Sequence, residues 1–253
     1  MSLLPENLPL IAAVLLIFAS FFTAALTARM GIGGGLVLLA VMSGLLPPMA
    51  VIPVHGIAQM GANFSRSVLQ FKSINWPIIG WFSAGALVGI ALAGQVVIAL
   101  PDWAIRSGVG TFILFTVWGP KPGAFFIGKQ SFLLTGGVSS FLTMFFGATG
   151  PFVASMLAAT SLNRMQISAS HATCMVVQHG FKIITFGFLG FAFAQWVPLL
   201  AAIILSGSVG TAVGTSMLKK ASEHNFKTGI NVVLTLIAVY LLAISFLSAI
   251  RTN

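Results

Sequence analysis

Long apolar runs, broken by single polar residues, glycines and prolines, take up almost the whole chain. Ten such segments can be drawn, at 8–28, 33–46, 51–71, 76–100, 103–118, 131–146, 149–160, 167–188, 196–218 and 226–249. A helix rising about 1.5 Å per residue needs roughly 20 apolar residues to cross a bilayer core, and most of the segments approach or exceed that length. Segment 8–28 lacks the basic start of a signal peptide and is too long for its apolar stretch, so it reads as a first span. The expected fold is an all-α polytopic membrane protein, one transmembrane domain over 1–253 with no room for a soluble domain.

Segments 33–46 and 149–160 are too short to span as straight helices. Each follows a glycine cluster and holds the same place in its half, the pattern of half-helices or re-entrant segments beside a transporter's binding site. Such segments would reduce ten crossings to eight. An internal repeat follows the same order: His55 and His171 lie 116 positions apart, and that offset also pairs Gly31 with Gly147, Gly34 with Gly150, Met49 with Met165 and Arg66 with Lys182. Small gaps later bring Trp76 opposite Trp196, and Gly85 and Gly89 opposite Gly210 and Gly214. Repeat 1 is placed at about 8–118, a linker at 119–130 with Pro120, Pro122 and two lysines, and repeat 2 at about 131–249. Five segments per half is an odd number, so the second copy is expected upside down, the architecture of inverted repeats.

Composition strengthens the membrane reading. The 253 residues are 58% hydrophobic and only 6% charged, where soluble domains carry about a quarter. The mean hydropathy is +1.05. The aromatics are 22 Phe and 5 Trp with a lone Tyr240, so no tyrosine belt is expected. The net charge of +9 sits on scattered basic residues without an aromatic-basic platform, which argues for topology and against nucleic acid. With ten crossings and the N-terminus outside, Arg29, Lys72, Lys121, Lys129, Arg164, Lys219, Lys220 and Lys227 fall inside, and Glu6, Asp102, Arg106 and Arg251 outside. That bias puts both termini on the outer side. The single Cys174 reads as a packing residue.

The candidate chemistry lies on two stripes. His55, Gln59, Asn63 and Arg66 fall within an arc of about 80° on one helix, and His171, Gln178, His179 and Lys182 within about 100° on its repeat mate. A central Arg or Lys in lipid costs about 2.5–3.5 kcal/mol, so such stripes belong against the bundle interior or a wet cavity. Arg66 is near the end of its segment, and snorkelling to the interface competes with a site role there. Lys182 is more than a turn from either end. His224, next to Glu223, reads as a solvated loop residue.

Glycine supplies the other half of the candidate site. The run Gly31, Ile32, Gly33, Gly34, Gly35 and the run Gly147, Ala148, Thr149, Gly150, Pro151 each precede a short helix. Free N–H groups and the positive dipole end there suit an anion, with close helix packing as the competing reading. For Gly85, Gly89, Gly210 and Gly214 packing is the preferred reading, and these faces make a homodimer conceivable. The only acids, Glu6, Asp102 and Glu223, fall in loops or at segment ends. Cation carriage and carboxylate proton relays need intramembrane Asp or Glu, so the cargo is expected to be a small anion. Protonation of His55 or His171 offers pH coupling. No cofactor, metal centre or catalytic group is expected, since four histidines without nearby carboxylates make a poor metal cluster.

The Gly31–Gly35 run at the end of the first span, the next short segment with Pro47 and Pro48, the Phe71–Lys72 turn and the second copy from Gly147 resemble the TauE/SafE sulfite exporter family. The resemblance covers about 8–249. It implies a permease of the bacterial inner membrane for sulfite, other sulfur oxyanions or organosulfonates, working outward. It places the path at the glycine motifs and polar helices: Gly33, Gly34, Gly35, His55, Gln59, Asn63, Arg66, Thr149, Gly150, His171, Gln178, His179 and Lys182. Two departures make the half-sites unequal: the second motif is not a glycine run, and Phe145 stands opposite Arg29. An anion channel, an importer of another organic anion, and a membrane-embedded enzyme are the alternatives.

Overall fold

The computed structural model describes residues 5, 8–30, 33–97, 102–119, 128–216 and 224–252. Gly31, Ile32, most of the linker, Glu6, Lys219, Lys220 and Glu223 lie outside them. Ten α-helices follow one another, with no strand among the described residues: α1 Leu10–Met30, α2 Gly34–Leu45, α3 Pro48–Leu69, α4 Trp76–Val96, α5 Asp102–Trp118, α6 Ser131–Phe146, α7 Gly150–Ala158, α8 Arg164–Phe188, α9 Val197–Ser216 and α10 His224–Thr252. The ten expected segments are matched one for one. His224, expected in a loop, instead starts α10.

The breaks have local causes. Leu46 is extended because Pro47 follows it, and Pro48 then sits in the first turn of α3. Gly147 ends α6 at φ 84°, a conformation that favours glycine. Asn163 caps α8 in a reciprocal box: its side chain accepts from the Gln166 amide at 2.9 Å, and the Gln166 side chain accepts from the Asn163 amide at 3.1 Å. Asn163→Ala is therefore expected to cost about 1 kcal/mol. In detergent that should lower Tm by roughly 2–4 °C; an unchanged Tm would show that the cap is dispensable.

Among the described residues, three stretches are long and apolar enough to cross a membrane by length and composition: Leu10–Met30, Trp76–Val96 and Phe193–Ser216. Helices α3 and α8, of 22 and 25 residues, have the length, but their polar stripes dilute their hydropathy. Helix α7, at nine residues, rises only about 14 Å, and α2, at 12 residues, about 18 Å. Neither is long enough to cross a core of about 30 Å as a helix by itself.

The distribution of side chains is that of a protein dissolved in lipid. Large apolar residues such as Phe18, Phe22, Leu87, Leu92, Leu205 and Leu236 are exposed, while His55, Asn63, Arg66, His171, Gln178, His179 and Lys182 are buried. The long helices pair as α1 with α9, α4 with α6, α3 with α8 and α5 with α10; the short α2 leans mainly on α1 and also on α3 and α10, and α7 leans on α8 and α6. Glycine sets the first two pairings. A Cβ on Gly85 or Gly89 would run into the carbonyls of Leu133 or Gly137, and one on Gly210 or Gly214 into those of Phe21 or Ala25. The glycine faces that suggested a homodimer are thus used inside the chain.

Candidate functional site

Helices α3 and α8 run antiparallel and bring their polar stripes face to face. At one end Arg66 reaches His171, and the Ser67 and Thr173 hydroxyls meet at 2.7 Å. Towards the other end the His55 and His179 rings meet edge to face, centroids 6.1 Å apart. Between them lies a cavity of about 30 Å³ lined by Thr27, Gly33, Gly35, Leu36, His55, Gln59, Asn63, Ala148, Gly150, Pro151, His171, Met175 and His179. That is room for roughly two waters. A narrower extension of about 10 Å³ runs past Thr27, Gln59 and Asn63 to Arg66 and Thr211. The much larger groove between α4 and α6, about 460 Å³, is lined by glycine and apolar residues such as Val88, Leu92 and Leu133, so it offers an anion nothing.

The two glycine motifs and the two histidines are joined in the same way. His55 Nε2 donates to the Gly35 carbonyl at 2.9 Å, and His171 Nε2 donates to the Gly150 carbonyl at 3.0 Å. Each bond pins the first turn of a short helix to the middle of a long one. Gly33 at φ 107° precedes α2 and lets its first turn face the cavity. The second nitrogens of the two rings differ. Nδ1 of His171 accepts from the Arg66 guanidinium at 3.0 Å, and since arginine only donates, this ring is held as the Nε2–H tautomer. Nδ1 of His55 and Nδ1 of His179 are buried and find no hydrogen-bond partner among the described residues. A buried polar atom left so costs about 1–3 kcal/mol, which a bound molecule can recover.

Arg66 does not snorkel. It is 1% exposed and bridges three helices, donating to the Thr27 carbonyl on α1 at 3.2 Å, to Asn63 Oδ1 at 2.8 Å and to His171. Lys182, fully buried, donates to the Gly147 carbonyl at 3.1 Å and to Thr143 Oγ1 at 3.4 Å. It ties the turn before α7 to α8 and lies behind the cavity wall; Gly56 on α3 makes room for its stem. Gln178 and Thr149 also stand back. The Gln178 amide donates to Thr149 Oγ1 at 3.0 Å and accepts from Ser139 Oγ at 2.6 Å, fastening the start of α7 to α6. Gly34 packs its backbone on Thr23 and Thr27 of α1.

Of the thirteen residues expected in the site, Gly33, Gly35, His55, Gln59, Asn63, Gly150, His171 and His179 line the main cavity and Arg66 its extension. Gly34, Thr149, Gln178 and Lys182 support it. The cavity is also lined by Ala148 and Pro151 of the second glycine motif, and by Thr27, Leu36 and Met175, which sequence reasoning missed. The 116-residue offset held the signal, since it pairs Gly35 with Pro151, Gln59 with Met175, Asn63 with His179 and Thr27 with Thr143. No group of three or more metal-ligating residues forms among the described residues. No carboxylate lines either polar cavity.

A family model described as Sulfite exporter TauE/SafE matches residues 16–241. No curated protein and no solved structure gave a match.

Proposed function

The chain belongs to the TauE/SafE sulfite exporter family, and on that premise we propose that it is a secondary transporter carrying a small sulfur oxyanion outward across the bacterial inner membrane. The observation that carries this reading is the buried cavity furnished by imidazoles, amides, Arg66 and the first turns of two short helices, with no acidic side chain on its walls. Such donors suit cargo that brings its own negative charge. At about 30 Å³ the cavity must widen for any oxyanion, and a compact one such as sulfite needs less widening than an organosulfonate.

Alternating access between inverted repeats is the mechanism we infer. It is supported by the helix starts, because α2 and α7, and likewise α3 and α8, begin 116 positions apart. It is supported also by the pairings, for exchanging α1–α5 with α6–α10 turns α1–α9 into α6–α4 and returns α3–α8 and α5–α10 to themselves. A two-fold axis exchanging antiparallel helices lies perpendicular to them, hence in the membrane plane, as inverted repeats require. With all ten segments crossing, the bias of basic residues supports both termini on the outer side.

Counterflow of radiolabelled sulfite through proteoliposomes tests the reading. It is expected to saturate and to fall at least about 30-fold in Lys182→Met, where a buried charge-assisted network is cut. Ohmic anion conductance without counterflow would mean a pore, and no flux of any anion would overturn the proposal.

A further inference from the structure

The two rings that close one end of the cavity, His55 and His179, are the ones whose Nδ1 atoms lack a partner among the described residues. They stand at 84° to each other. His55 gives its Nε2 hydrogen to the Gly35 carbonyl, so its Nδ1 presents a lone pair. His179 forms no hydrogen bond with any described residue. His171 is different, because a proton on its Nδ1 would have to displace Arg66.

The charged and titratable groups facing this pair are Lys182 and His171 from α8, while Arg66 from α3 faces His171. Helix α2, helix α7 and the turn before it contribute backbone carbonyls, and α1 contributes Thr27. An added proton therefore has a counter-charge only when an anion occupies the cavity, and by linkage each ligand favours the other.

We propose that His55 and His179 form the proton site of the transport cycle, so that anion and proton cross together while His171 serves only to position Arg66; this rests on the reading of the chain as an anion carrier. A proton from water on one face bonds to Nδ1 of His55 or a ring nitrogen of His179 and returns to water on the other face, and no other bond forms or breaks. With a monoanion the step moves no net charge. With sulfite as a dianion it moves one negative charge.

The test is accumulation of radiolabelled sulfite in proteoliposomes under an outside-acid step, measured above protein-free liposomes and beside counterflow without a gradient. For one proton per anion, a step of about one pH unit drives roughly tenfold accumulation. Wild type is expected to approach that value. His179→Gln and the double variant His55→Gln/His179→Gln are expected to show slowed counterflow and no accumulation, whereas His171→Gln raises KM and keeps the accumulation ratio. Wild-type accumulation in the double variant would place the proton on the substrate and overturn the proposal. Loss of counterflow in His179→Gln, which breaks no hydrogen bond to any described residue, would make that ring an anion holder and overturn it equally. A wild type that moves no sulfite at all would instead bring down the carrier reading.

Discussion

Replacing Arg66 by alanine is expected to lower sulfite counterflow by about 10²–10³-fold while the protein stays folded in detergent. The guanidinium joins α1, α3 and α8 beside the cavity, through the Thr27 carbonyl, Asn63 and His171. Its removal strips two buried acceptors of their donor, at about 1–3 kcal/mol each, and truncating a buried hydrogen-bonded charge costs about 2–5 kcal/mol. At 1.4 kcal/mol per tenfold, the expected loss follows. Arg66→Lys should not restore transport, because a point charge on a flexible stem cannot reproduce a planar fork serving acceptors on three helices. Near-normal counterflow in either variant would remove Arg66 from the anion path. Free rotation of His171 should accompany the alanine change, and a histidine ¹⁵N spectrum that keeps a single Nε2–H tautomer for His171 would show that Arg66 does not hold it.

The second large effect is structural. Gly85→Leu and Gly210→Leu are each expected to prevent recovery of folded protein. In both places the helix backbone lies against a neighbouring carbonyl, Leu133 on α6 or Phe21 on α1, so a side chain must force the pair apart. Overpacking a fitted contact typically costs 1–3 kcal/mol, and here the obstacle is backbone, which cannot rotate aside. The control is Gly80→Leu on α4, where a Cβ meets nothing within 4 Å and the residue is exposed. That change should be neutral or slightly stabilising, since leucine favours the helix. Size-exclusion profiles in detergent distinguish the cases. A monodisperse Gly85→Leu protein with wild-type Tm would show that α4 and α6 do not need this approach.

Interior polarity makes both predictions sharper than they would be in a soluble protein. Lipid offers no hydrogen bonds to a group that loses its partner, and helices in lipid gain little from apolar burial alone, so close backbone approach and buried hydrogen bonds hold the bundle together. Arg66, Lys182 and the buried hydroxyls of α6, on Thr135, Ser139, Ser140 and Thr143, stand where leucine would stand in a water-soluble core.

Much of this was legible along the chain. The order of ten helices followed from apolar run length and from the prolines and glycines at their ends. The composition of the two stripes, the want of acids between them and the 116-residue register needed no coordinates either, because helical periodicity decides which residues share a face. What periodicity cannot decide is what that face meets. Only the packing of α3 across α8 turned Arg66 inward to His171 rather than outward to the interface, and set Lys182 behind the wall on the Gly147 carbonyl. Only the approach of α2 and α7 to those helices bonded each histidine to a glycine motif and left His55 and His179 with spare nitrogens in the cavity. Those relations depend on distances between segments 20 to over 100 residues apart, and side-chain character within one helix carries no information about them.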